Sequence, residues 1–276
     1  MEEKRIAKLV GIFDSGIGGL SVLREIQAIL PFQPLYYIAD QAHVPYGKRD
    51  LAEIRDFSFA ITDFLSKKGA ELIVVACNTA SAAALKELRE AYPHLTFVGM
   101  EPAVKPATEK THNGIVGVLA TPATFQGKLY HTLVERFAKD VKILTHTCPG
   151  LVEAIESGDI HSSNTRLILK KALLPMLERG ADTIVLGCTH FPFIIPTIRD
   201  IVGSQVAVID PAPAIAKRVG YLLNKKELIS GYIQSAQKTF STTGDCDHFK
   251  QSLHTLLGID VIPTLLKWEH RKLLPA

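Results

Sequence analysis

The sequence predicts an α/β protein of two pseudo-symmetric three-layer αβα domains, with mainly parallel sheets and the active site between them. Short apolar runs alternate with longer stretches of helical periodicity, as expected for parallel strands covered on both faces by crossover helices. Residues 69–79 (GAELIVVACNT) recur without gaps as residues 180–190 (GADTIVLGCTH), 111 positions later. Two further pairs keep nearly that offset and the same order: residues 10–15 (VGIFDS) with 116–121 (VGVLAT), and 101–103 (EPA) with 210–212 (DPA).

The elements of each half follow in turn. Residues 9–13 read as a strand, followed by a glycine-rich turn and an amphipathic helix over 20–30. A second strand spans 35–39. Residues 51–68 form a helix with Ile54, Phe57, Ile61, Phe64 and Leu65 on one face. A strand at 72–76, a helix at 80–92 and a strand at 97–100 complete the first half. The second half repeats the plan with strands at 115–119, 142–145, 183–187 and 206–209, and helices at 125–137 and 163–179. From about residue 208 the chain returns to the first half. The domains are therefore 1–97 plus 208–276, and 98–207.

A chain of 276 residues buries enough surface to need neither disulfides nor a structural metal. Its formal charge of +3 is too small for a nucleic-acid surface. Lysine pairs such as Lys67-Lys68 and Lys225-Lys226 read as solvated helix ends. The start, MEEKRIAKLVGIF, lacks the apolar core of a signal peptide, and the apolar runs are strand-length, which excludes a membrane span. The expected location is the cytoplasm. There, four cysteines without a CxxC pair read as free thiols and not as bridges or a zinc site.

In open α/β sheets ligands bind beyond the carboxyl ends of the strands. Cys77 and Cys188 both occupy that position, and Asn78-Thr79 and Thr189-His190 follow them with donors for carboxylate oxygens. A buried cysteine can be simply a small hydrophobe. Recurrence at equivalent repeat positions, each time before polar residues, argues against that. Two thiols on opposite sides of one carbon suit a reaction whose products are mirror images: one thiol removes a proton and the other returns one on the far face. The cluster Asp14-Ser15-Gly16-Ile17-Gly18-Gly19 lets backbone approach an anion at a helix start. It is a poor dinucleotide fingerprint and lacks the Lys-Ser/Thr of a P-loop.

At these residues the chain resembles the glutamate racemases of the aspartate/glutamate racemase superfamily. The matching segments are FDSGIGGLSV (13–22), VPYG (44–47), ACNTAS (76–81), LVE (151–153), GCTHFP (187–192), IDPA (209–212) and TTGD (242–245) followed by Phe249. The likeness spans about residues 8–262, and FDSGIGGLSV points to glutamate over aspartate. The resemblance implies that Cys77 and Cys188 are the acid/base thiols, with Asp14 assisting Cys77, and Glu153 and His190 assisting Cys188. It implies substrate contacts from Asp14, Ser15, Tyr46, Gly47, Asn78, Thr79, Thr189 and His190. It further implies L- and D-glutamate as ligands, no pyridoxal phosphate, no metal, a product destined for peptidoglycan, and a homodimer.

A thiolate is a weak base for an α-proton in water, so a dry site with fixed donors must stabilise the developing charge. No arginine lies in the matching motifs, leaving neutral donors and helix ends to hold the carboxylates. The chain departs from the family at residues 39–43 (ADQAH) and at Ala123, where glycine is frequent. Cys148 and Cys246 have no repeat partner. Cys148 reads as structural, and His94 and His254 as surface residues. The competing functions are racemisation of another small acid such as aspartate, a Rossmann-type nucleotide enzyme, and a non-catalytic binding module. The last is raised by those glutamate racemases that act on DNA gyrase.

Overall fold

β1 (Leu9–Asp14) is the strand around which the first half assembles. The computed structural model describes residues 8–226 and 237–276, so the first seven residues of the amino-terminal segment read above as no signal peptide lie outside the described residues. With β1 run β2 (Leu35–Ala39), β3 (Ala70–Val75) and β4 (Thr96–Gly99), all parallel and in the order β2-β1-β3-β4. Side chains alternate across this sheet, as the two-residue repeat of a strand requires. Val10, Ile12, Leu35, Tyr37, Leu72 and Val74 meet the buried face of α1 (Leu20–Ile29). Phe13, Tyr36, Ile38, Ile73 and Val75 meet α2 (Leu51–Lys67) and α3 (Asn78–Ala91).

The second half contains α4 (Val104–Lys110), β5 (Ile115–Ala120), α5 (Pro122–Gln126), α6 (Lys128–Phe137), β6 (Lys142–His146), α7 (Leu151–Glu156), α8 (Ser163–Glu178), β7 (Thr183–Gly187), α9 (Ile195–Val202) and β8 (Ala207–Ile209). Its parallel sheet has the order β6-β5-β7-β8, which repeats that of the first half strand for strand. α10 (Ala212–Lys225) then packs on α1. β9 (Lys238–Thr242), α11 (Cys246–Leu257), β10 (Thr264–Glu269) and β11 (Lys272–Pro275) follow. β9 and β10 extend the first sheet beyond β2 in parallel, and β11 closes it as an antiparallel edge.

Two details differ from the sequence reading. Pairing carries the first sheet through Gly99 and the second through Ile209, past the boundaries read at 97 and 207. The helix read at 125–137 is two helices that break at Gly127, where a Cβ would come within 2.7 Å of the Ala82 side chain. The close approach to α3 leaves no room for a side chain at that break. One core cluster joins Ile12 and Leu23 of the first half to Ile184, Cys188 and Phe191 of the second, so burial of apolar surface holds the halves together. Among the described residues no helix is long and apolar enough to cross a membrane.

Candidate active site

The carboxyl ends of β1, β3, β5 and β7 converge on one cavity of about 10 Å³, room for roughly one water. Its wall contains Ser15, Tyr46, Gly47, Cys77, Asn78, Thr79, Cys188, Thr189 and His190, all read from the sequence as site residues. It also contains Thr121, which the sequence reading did not select although it is the repeat counterpart of Ser15.

The two cysteines are held differently. Cys77 is the N-cap of α3, and its Sγ accepts the Ala80 N–H at 3.4 Å. The helix start thus supplies donors and positive potential on that side. Cys188 enters only a tight turn and the 3-10 segment Phe191–Ile194, and its Sγ lies 3.6 Å from His190 Nδ1. A histidine replaces the helix as the group facing the thiol.

Asp14 is fully buried at the end of β1, behind Cys77. Its Oδ2 accepts Gly19 N–H at 2.7 Å and Gly16 N–H at 3.4 Å, while Oδ1 has no partner. Burial raises the Asp14 carboxyl above its ordinary range, against the lowering effect of His190 and the Gly19 N–H. Burial, and then the charge of Asp14, push the Cys77 thiol well above its usual value. Both effects favour the protonated thiol at Cys77. Asn78 is buried with both amide atoms unpaired in the cavity wall, and a buried amide without partners is a strong candidate for ligand recognition.

The halves are tied across the site. Ser21 Oγ lies 2.8 Å from both Gly18 O and Thr189 O, and Thr79 Oγ1 lies 2.8 Å from Thr121 Oγ1. Tyr46 donates its hydroxyl to Asp40 Oδ2 at 2.6 Å. Gly18 and Gly47 admit close approaches: a Cβ on Gly18 would collide with His190, and one on Gly47 would lie 2.6 Å from Thr121 Cβ.

The carboxylate beside His190 is not the one read from the LVE match. Glu153 forms an ion pair with Lys48, its side chain 39% exposed. Its pKa falls because that pairing outweighs the burial that would raise it. Glu156, one turn further along α7, meets His190 Nε2 at 2.5 Å and accepts Ile17 N–H at 2.8 Å. These bonds, with the charge of His190, outweigh its burial and hold it below the ordinary carboxylate range. Burial acts to lower the His190 pKa, but the bonds to Cys188 and Glu156 raise it well above 6.5. A protonated His190 can donate to Cys188 and Glu156 together.

Cys148 is buried in the same core cluster as Cys188, and burial pushes its thiol up to about 12. Cys246 starts α11, and His94 and His254 lie at the surface. Among the described residues no cluster of three or more His, Cys, Asp or Glu is arranged to hold a metal.

A family profile described as Asp/Glu/Hydantoin racemase matches residues 13–219. The chain belongs to that racemase family. A glutamate racemase of Roseiflexus is 48% identical over 91% of this chain and 92% of its own. A crystal structure of a glutamate racemase isoform from Bacillus anthracis superposes with a TM-score of 0.85 at 30% identity, covering 96% of this chain and 98% of that one. The Escherichia coli glutamate racemase, solved in complex with L-glutamate and the activator UDP-MurNAc-Ala, gives a TM-score of 0.79 at 35% identity, covering 92% and 95%. This racemase-family chain shares its fold with the two solved structures over more than nine-tenths of its length.

Proposed function

We propose that this chain interconverts L- and D-glutamate without a cofactor, by proton transfer between Cys77 and Cys188 on opposite faces of the α-carbon. The observation that carries the reading is that the two cysteines, from matching strand ends of the two halves, line one cavity. One sulfur takes the α-proton while the other thiol delivers a proton to the far face, so the configuration inverts. Asn78, Thr79, Thr121 and Thr189, with the start of α3, supply neutral donors to the substrate carboxylates and to the charge that develops on removing the proton. The flanking groups differ: Asp14 serves Cys77, and His190 backed by Glu156 serves Cys188. Glu156 thus takes the role assigned to Glu153 by motif.

Supply of D-glutamate to peptidoglycan and a homodimer belong to the same reading and rest on the family resemblance, as does any contact with DNA gyrase; a cytoplasmic location is proposed from the strand-length apolar runs of the sequence. The test is racemisation of L- and D-glutamate, with aspartate as control, by cofactor-free protein. Cys77→Ala and Cys188→Ala should each lower turnover by at least about 10³-fold while keeping the fold. Near-wild-type rates in either variant would refute the two-thiol assignment.

A further inference from the structure

The loop that carries Tyr46 and Gly47 is held by the far end of the chain. Asp40, at the end of β2, is fully buried, and four side chains converge on its carboxylate. Tyr46 donates to Oδ2, and His43 Nδ1 lies 2.9 and 3.1 Å from the two oxygens. Thr243, just after β9, and Trp268, in β10, each donate to Oδ1 at 2.8 Å. Phe57 of α2 supports the assembly. The His43 ring stacks on it at 3.9 Å, and Trp268 and Tyr46 lie 5.4 and 5.8 Å from it.

A buried carboxylate is stable only where donors surround it, and losing one leaves a charge without its partner. Of the four donors, only Tyr46 also lines the cavity between the cysteines. The fit there has little slack, since a Cβ on Gly47 would sit 2.6 Å from Thr121 Cβ in the other half.

We propose that Trp268 is a positioning residue for the substrate: through Asp40 it fixes Tyr46 and Gly47 against the cavity. The hairpin of β10 and β11 is then part of the binding apparatus and not only the edge of a sheet. This rests on the reading that Tyr46 and Gly47 contact glutamate.

Trp268→Phe keeps the ring packing and removes the N–H. The KM for D-glutamate should rise about fivefold with kcat within about twofold of wild type. Thr243→Val removes the other donor to the same oxygen and should act in the same direction, which keeps the test intact if Trp268→Phe does not fold. Trp268 is the chain's one tryptophan. Wild-type emission should therefore shift on titration with D-glutamate, with a midpoint near KM. Unchanged KM in both variants, or emission indifferent to D-glutamate, would overturn the proposal. Tyr46→Leu separates it from the reading beneath it. A raised KM there, with wild-type KM in the other two, sinks the hairpin's role alone. Wild-type KM in all three sinks the substrate contact as well.

Discussion

Glu153 and Glu156 lie one helical turn apart on α7, and their surroundings give them different work. Glu153 pairs with Lys48 near solvent, where an ion pair contributes at most about 1 kcal/mol. Glu156 is paired with His190 inside the protein, and removing one partner of a buried pair costs on the order of 3 kcal/mol. Glu156→Gln should therefore lower stability and turnover clearly, and Glu153→Gln should leave both nearly unchanged. The pH dependence has a definite sign. The lowered pKa of Glu156 gives stability that is complete above 4.5 and is lost as pH falls through the folded value. The raised pKa of His190 gives stability that is complete below 6.5 and is lost as pH rises through the folded value. The gap in unfolding free energy between wild type and Glu156→Gln should thus be widest between pH 4.5 and 6.5. A gap that grows steadily toward alkaline pH would contradict the paired assignment. The distinction was partly legible in the sequence. At about 100° per residue, LVEAIE read as a helix puts Leu151, Val152 and Ile155 on one side, with Glu156 beside them and Glu153 turned away. A three-letter match could not see this, because it treated the segment as a string.

At the scale of elements, the repeat made the cysteines legible, since strand, small residue and thiol recur in register and both copies end at the ligand-binding edge of a sheet. It did not show that the two copies diverge after the thiol, into a helix at Cys77 and a short turn at Cys188. Nor could it show the Asp40 cluster, which joins residues 228 positions apart through one hydrogen bond. The departure read at residues 39–43 falls in that cluster, so the loop is atypical where it is most tightly held. The turn between β1 and α1 illustrates how elements share space. Gly18 gives His190 its position because any side chain there would occupy the imidazole's place, and Thr189 Oγ1 would be only 2.7 Å away. Gly18→Ala should cut turnover at least about tenfold while far-UV circular dichroism stays native. Wild-type turnover would show that His190 tolerates displacement.

Across the whole molecule, two sheets that repeat one four-strand order, the first extended by β9, β10 and β11, share one core and meet at a cavity of about 10 Å³. Glutamate is far larger than one water, so the groups lining the cavity must move to admit it. Enclosure there would bring the substrate out of water and strengthen every fixed donor around it. The duplicated scaffold accounts for a reaction that runs in both directions. The unequal neighbours, Asp14 on one side and His190 with Glu156 on the other, give the two thiols different surroundings. The most direct test of proton transfer from opposite faces is the fate of the α-hydrogen. L-glutamate is incubated with cofactor-free protein in D₂O, and both enantiomers are separated at low conversion. The account predicts D-glutamate that carries deuterium at the α-carbon, with little deuterium in the recovered L-glutamate. D-glutamate that retains the original hydrogen, or equal deuterium in both enantiomers from the first turnovers, would contradict it.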